Sequence, residues 1–162
     1  MKSNVSGSSN ITIRKPTVRD IDPIFKLTNR MADRGLMLHR SKLKIVEMIN
    51  DFLVAVNERD GVVGCGAFSL LWTDLGEVKA LAVEDEYQGR GIGRSLVLAL
   101  LEKGRELRVP EVITLTYQVD FFKRLGFVET DKEKFPKKIW RECLECPKLE
   151  NCDEVALHLF LF

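Results

Sequence analysis

The sequence predicts one mixed α/β (α+β) domain, a mostly antiparallel sheet flanked by helices. Three observations predict it. A meander of strand-like apolar runs fills residues 52–83, and a glycine-rich loop then feeds the best helical pattern in the chain. Strand, helix and strand follow in turn between residues 112 and 130. The chain length of 162 residues suits one domain of roughly 100–200 residues and hardly two.

The elements follow in order. Residues 1–10 are rich in Ser, Asn and Gly and lack an apolar core, so a disordered polar tail is expected there and one domain over 11–162. Ile11-Thr-Ile13 alternates as a short strand that Pro16 ends. Thr17 to Asp20 opens a helix in the manner of a capping box, with Asp in place of Glu or Gln. Ile21, Ile24, Phe25, Leu27 and Met31 supply its apolar face, and Gly35 stops it. Ser41 caps a second helix, whose apolar positions are Leu43, Val46, Ile49 and, less clearly, Ile45. The period then changes to two. Phe52 to Val56 and Val62 to Leu71 are strands around a turn at Asn57 to Gly61, where Arg59-Asp60-Gly61 is a hairpin signal. A third strand covers Gly76 to Val83. Gly91 to Leu107 is a strong helix, Val112 to Thr116 a strand, Val119 to Leu125 a short helix, and Phe127 to Thr130 a strand. After an irregular stretch rich in Lys and Cys, Val155 to Phe162 closes the chain as a strand.

Composition removes several classes of function. Lys and Arg number 25 against 24 Asp and Glu, for a net charge of +1, without the basic excess of a nucleic-acid binder. No apolar run approaches the ~20 residues of a membrane span. His39 and His158 are the only histidines, too few for a multi-His metal site and a poor start for a Ser-His-Asp triad. A cytoplasmic protein is expected. Cys65 lies in an apolar stretch and reads as a small core residue. Cys143, Cys146 and Cys152 are crowded, and Cys-x-x-Cys is a zinc half-site. A fourth ligand is not evident, so reduced structural thiols are the favoured reading, with a zinc site or a redox pair as alternatives.

The segment Val83 to Arg94 joins a strand to the strongest helix. Glycines there let backbone approach a ligand, while free helical N–H groups and the helix dipole attract phosphate. Arg90 and Arg94 add charge. The nucleotide-binding P-loop is excluded, since no Lys-Ser/Thr follows the glycines. The dinucleotide fingerprint is excluded too, because Gly89-x-Gly91-x-Gly93 has the wrong spacing and lies at mid-chain.

Gln88-Gly-Arg-Gly91-Ile-Gly93, preceded by Leu81-Ala82-Val83, resembles the acetyl-CoA pyrophosphate loop of the GNAT acetyltransferase superfamily. Phe121-Phe122-Lys-Arg-Leu125-Gly126-Phe127 resembles that superfamily's helix-to-strand signature near the acetyl-CoA arm. A narrower resemblance, from Ile13 onward, is to the acetyltransferase domain of the N-acetylglutamate synthases, in a short form lacking the amino-acid-kinase-like domain. It rests on Gly35 to Ser41, Gly76-Glu77-Val78, Leu115-Thr116-Tyr117 and Lys138 to Glu154. The resemblance implies a GNAT-type sheet with a bulged central strand, whose freed backbone groups pair with the pantetheine amides. It implies acetyl-CoA as cosubstrate, held by Leu81, Ala82, Val83, Gln88, Gly89, Arg90, Gly91, Ile92, Gly93, Arg94 and Phe122.

Acetyl transfer to an amine asks for a base, because an α-amine has a pKa of ~8. The resemblance places a carboxylate at Glu77 for this task. The acid is less defined: Phe122 stands where many relatives carry a tyrosine, and Tyr117 is the nearest alternative, as acid or as substrate contact. Coenzyme A is itself a tolerable leaving group, as thiols ionise near ~8.5. Backbone N–H near Leu81 or Ala82 would polarise the thioester carbonyl. Arg40 matches the family's substrate-binding arginine, and Lys79 shares the strand face of Glu77, so the pair suits a dicarboxylic acceptor. The expected activity is N-acetylation of an amino acid, with L-glutamate first, which would place the chain in arginine biosynthesis. The alternatives are another small amine, a protein N-terminus, or a non-catalytic CoA- or metal-binding module. The expected partners are acetyl-CoA and the amino acid, without nucleic acid or membrane, and with a homodimer left open.

Overall fold

The computed structural model describes residues 3–5, 10–135 and 153–162. Strands β1 (Ser3–Val5) and β2 (Ile11–Arg14) lead to helix α1 (Ile21–Asp33) and the short helix α2 (Lys42–Glu47). Strands β3 (Phe52–Val56), β4 (Val62–Trp72) and β5 (Leu75–Val83) form the meander. Helix α3 (Ile92–Glu106), strand β6 (Glu111–Thr116), helix α4 (Val119–Arg124) and strands β7 (Val128–Glu129) and β8 (Val155–Phe160) follow. Among the described residues, eight strands join one sheet in the order β1-β2-β3-β4-β5-β6-β8-β7. Every pairing is antiparallel except β5 with β6.

Each face of this sheet buries its own apolar layer. One layer joins Leu96, Leu100 and Leu101 of α3 and Phe122 of α4 to Phe68, Val78, Val112 and Leu157 of the sheet. The other joins Ile24 and Leu27 of α1 and Ile45 of α2 to Phe52, Val54, Cys65, Ala80 and Ala82 of the sheet. Two buried faces explain why β3 is buried along its whole length rather than alternating.

The meander, the long helix and the strand–helix–strand order are those that the sequence predicts. Three local expectations change. Ser3–Val5 pairs with Ile11–Ile13, so part of the segment read as a polar tail extends the sheet; ladder hydrogen bonds are made by backbone and need no apolar side chains. The second helix turns a different face inward. Ile45 and Met48 are buried, while Leu43 and Val46 are exposed, and Ile49 falls in a 3-10 turn. Six helical residues set no period of their own, and docking on α1 chooses the face. The last strand stops at Phe160, two residues short of the expected end.

Candidate active site

The centre of the sheet carries a defect. Cys65 pairs with Ala82 and Ala67 with Lys79, so three steps on β5 oppose two on β4. The extra residue lies at the turn of the strand where Ala80 adopts φ +55. Such a bulge places two successive residues on one side. Val78 accordingly packs on the α3 layer while Ala80 and Ala82 pack on the α1 layer, although an unbroken strand would hold all three on one face. Cys65 lies directly behind, its Sγ 3.6 Å from the Ala80 carbonyl. Burial pushes its thiol up to about 12.

Beyond the bulge the sheet opens. β5 pairs with β6 only at Leu75, Gly76 and Glu77, against Glu111, Val112 and Ile113. The next contact is a side-chain one, from the Thr114 hydroxyl to the Val78 carbonyl at 2.9 Å. A cleft of about 910 Å³ occupies this opening.

One end of the cleft is built from α3 and the loop before it. Gly89 and Gly91 both require positive φ, +76 and +81, and Gly91 caps α3 without a side-chain hydrogen bond. The first turn holds no acidic residue. The helix N-terminus therefore keeps its free N–H groups and roughly half a positive charge for an anion. Gln88 braces the loop rather than pointing away, its amide donating to the Val83 carbonyl at 3.1 Å and to Asp85 at 3.2 Å. Leu81, Ala82, Val83, Gln88, Gly89, Gly91, Ile92, Gly93, Arg94 and Phe122 all line the cleft. Arg90 does not: its guanidinium stacks 4.9 Å from the Tyr87 ring and donates to the Glu86 carbonyl.

The other end draws on α1, α2 and the β4–β5 ladder, and Arg40, Glu77, Lys79 and Tyr117 line it. Arg40 is 8% exposed. Asn29 on α1 grips its backbone from both sides, Nδ2 donating to the Arg40 carbonyl at 3.0 Å and Oδ1 accepting the Arg40 N–H at 3.2 Å. The same Nδ2 reaches the Phe25 carbonyl at 2.9 Å. The Tyr117 hydroxyl donates to Asp153 at 2.6 Å. Asn29 and Asp153 are contacts that sequence reading misses; a polar residue inside the periodic stretch Ile21 to Met31 was the only signal of the first. Cys143, Cys146 and Cys152 lie outside the described residues. Among the described residues, no group of three or more His, Cys, Asp and Glu could hold a metal ion. No helix among them is long and apolar enough to cross a membrane.

A helix N-terminus suited to phosphate and an opened edge of β5 suited to an amide-bearing arm match the two parts of one ligand, coenzyme A. The class so defined is an acyl-CoA-dependent transferase. The acetyltransferase (GNAT) domain matches residues 49–129, and the chain belongs to that family. It is an N-acetyltransferase with acetyl-CoA as cosubstrate. The chain is 42% identical over 145 residues to an uncharacterized N-acetyltransferase of Chlorobaculum tepidum, covering 90% of this chain and 93% of that protein. It is 33% identical over 132 residues to the amino-acid acetyltransferase of Mycobacterium tuberculosis, covering 80% and 75%. Among solved structures, Rv2747 of M. tuberculosis in complex with CoA and NLQ superposes with a TM-score of 0.81 at 28% identity, over 93% of this chain and 99% of that one. The N-acetylglutamate synthase of Neisseria gonorrhoeae, complexed with coenzyme A and N-acetyl-glutamate, shares the fold. It superposes with a TM-score of 0.84 at 22% identity, covering 97% of this chain and 36% of that one.

Proposed function

We propose that the chain transfers the acetyl group of acetyl-CoA to the α-amine of an amino acid, with L-glutamate the preferred acceptor. The observation that carries this reading is the lining of a single cleft. A helix N-terminus suited to the coenzyme's phosphates, the carboxylate Glu77 and the cations Arg40 and Lys79 all open onto it. A relative 33% identical and named an amino-acid acetyltransferase supports the acceptor class.

In this reading Glu77 takes a proton from the acceptor's ammonium, directly or through water, and the amine nitrogen attacks the thioester carbonyl. The N–C bond forms and the C–S bond breaks; the nitrogen's second proton passes to solvent, and the coenzyme leaves as a thiolate. Backbone N–H groups beside the bulge, near Leu81 and Ala82, stabilise the developing oxyanion. The planar fork of Arg40 suits one carboxylate and Lys79 the other. Tyr117 serves as a contact to the substrate rather than an obligatory acid. Its hydroxyl donates a hydrogen bond to Asp153 rather than to the sulfur, and a thiol of pKa ~8.5 leaves as thiolate without an acid.

The test is an acceptor screen that reads thiol release from acetyl-CoA with each amino acid and with simple amines. L-glutamate should give the highest kcat/KM, and Glu77→Gln and Arg40→Ala should each lose nearly all of it. Equal turnover of unrelated amines refutes the assignment.

A further inference from the structure

The acceptor end of the cleft holds one hydrogen bond to which the reading above gives no role. Ser69 on β4 and Glu77 on β5 are direct partners across the antiparallel ladder, and both line the cleft. Residues so paired hold their Cβ atoms about 5 Å apart on one face. The Ser69 hydroxyl donates to Asp51 Oδ2 at 2.7 Å. Asp51 also lines the cleft, from the 3-10 turn ahead of β3. That turn is tied to α3, because Lys103 Nζ donates to the Asn50 and Asp51 carbonyls at 3.0 and 3.1 Å. The Asp51 carboxylate is thus held in place from both its backbone and its side chain.

A serine has one proton to donate. With it given to Asp51, Ser69 Oγ turns only lone pairs toward Glu77 and the cleft. The acceptor arrives as an ammonium, whose three N–H donors need acceptors once water is displaced. Glu77 satisfies one of them and, as base, removes one proton. A serine oxygen polarised by a carboxylate, on the adjacent strand position, is a match for another. The negative charge of Asp51 complements the same ammonium, as Arg40 and Lys79 complement the carboxylates.

We propose that Ser69 and Asp51 form the ammonium receptor of the acceptor site, Ser69 Oγ accepting an N–H of the incoming amino acid and Asp51 orienting that oxygen and supplying the charge. Together with Arg40 the pair selects a zwitterion over a simple amine. The inference rests on the amino-acid reading of the site.

The test compares the wild type with Asp51→Asn, Ser69→Ala and Ser69→Thr, using the amino acid that the wild type acetylates best. Asparagine still accepts from Ser69 and removes only the charge. Asp51→Asn and Ser69→Ala should raise the acceptor KM roughly tenfold or more, the scale of a charge-assisted hydrogen bond, with the acetyl-CoA KM unchanged. Ser69→Thr, which keeps the hydroxyl, should restore it. The deaminated analogue of that amino acid, glutarate if it is glutamate, serves as a competitive inhibitor without the ammonium. Its inhibition constant should be the same in Asp51→Asn and in wild type, and weaker in Arg40→Ala. An unchanged acceptor KM in both Asp51→Asn and Ser69→Ala overturns the proposal. So does equal weakening of acceptor and analogue, which is what a merely structural role produces. A wild type that acetylates no amino acid refutes the function proposed above and removes this inference with it.

Discussion

Asn29→Ala separates what holds Arg40 from what Arg40 does. The substitution deletes three hydrogen bonds, to the Phe25 carbonyl and to both backbone groups of Arg40. At about 1 kcal/mol each, the loss is roughly 3 kcal/mol, from which a gain in helix propensity on α1 of about 0.5 kcal/mol is subtracted. The net is on the order of 2 kcal/mol. For a domain of this size that lowers Tm by about 4–8 °C. Arg40 loses its backbone clamp at the same time, so its guanidinium should no longer be presented to the cleft, and the acceptor KM should rise about tenfold with the acetyl-CoA KM unchanged. A thermal melt and steady-state thiol release on the same preparation measure both. A melt lowered as expected with an acceptor KM equal to wild type would falsify the argument that Asn29 positions Arg40 for substrate. An unaltered melt would show that the three bonds contribute nothing net.

Two glycines fail for opposite reasons when substituted. Gly91→Ala meets nothing within 4 Å, but φ +81 strains any side chain, so it should cost about 1 kcal/mol and raise the acetyl-CoA KM while sparing the acceptor's. Gly76→Ala would place a methyl 2.3 Å from the Phe68 ring, and should cost about 1–3 kcal/mol in a denaturant titration. Adding Phe68→Leu should recover part of that; two independent, additive losses would count against the collision. Cys65, held neutral by burial until about pH 12, should resist iodoacetamide at pH 8.5 in the folded protein and react on unfolding, read by mass spectrometry of its peptide. The unfolded thiol ionises near ~8.5, so this group's contribution to stability is complete below that pH and is lost as the pH rises toward 12. Tm should therefore fall with pH over this range less steeply in Cys65→Ala than in wild type.

Local signals in the sequence carried the element order and the glycine-rich turn ahead of α3. Gly89 and Gly91 occupy positions where the backbone itself demands glycine, and α3 follows without a competing cap. The acceptor end was legible only in part. Arg40 and Glu77 could be singled out by resemblance and Lys79 by its place on the strand face of Glu77, but nothing near them in the chain announces Asn29, eleven residues away from Arg40, or the Asp51–Ser69 pair, separated by 18. These contacts exist because the sheet and α1 bring distant segments together. The misread face of α2 has the same origin: its six residues are too few to outvote the surface on which they dock. Arg90 shows the limit in the other direction, since a cation beside a phosphate loop can be claimed by a neighbouring tyrosine.

The extra residue at Ala80 also has a consequence for how β5 tolerates change. Up to Lys79 the odd positions lie on the sheet face opposite Val78, and after the bulge the even ones do, as Ala80 and Ala82 on the α1 side show. A saturation scan along Leu75–Val83 should therefore show an alternating pattern of tolerance whose phase slips once, at the bulge. Deleting a single residue there would not simply shorten the strand. It would rejoin two half-strands in one phase, and would turn either Glu77 and Lys79 or Ala82 toward the wrong layer. Adding or removing one residue at this point is thus a larger change than any side-chain substitution in the strand, because it exchanges inside for outside along half its length.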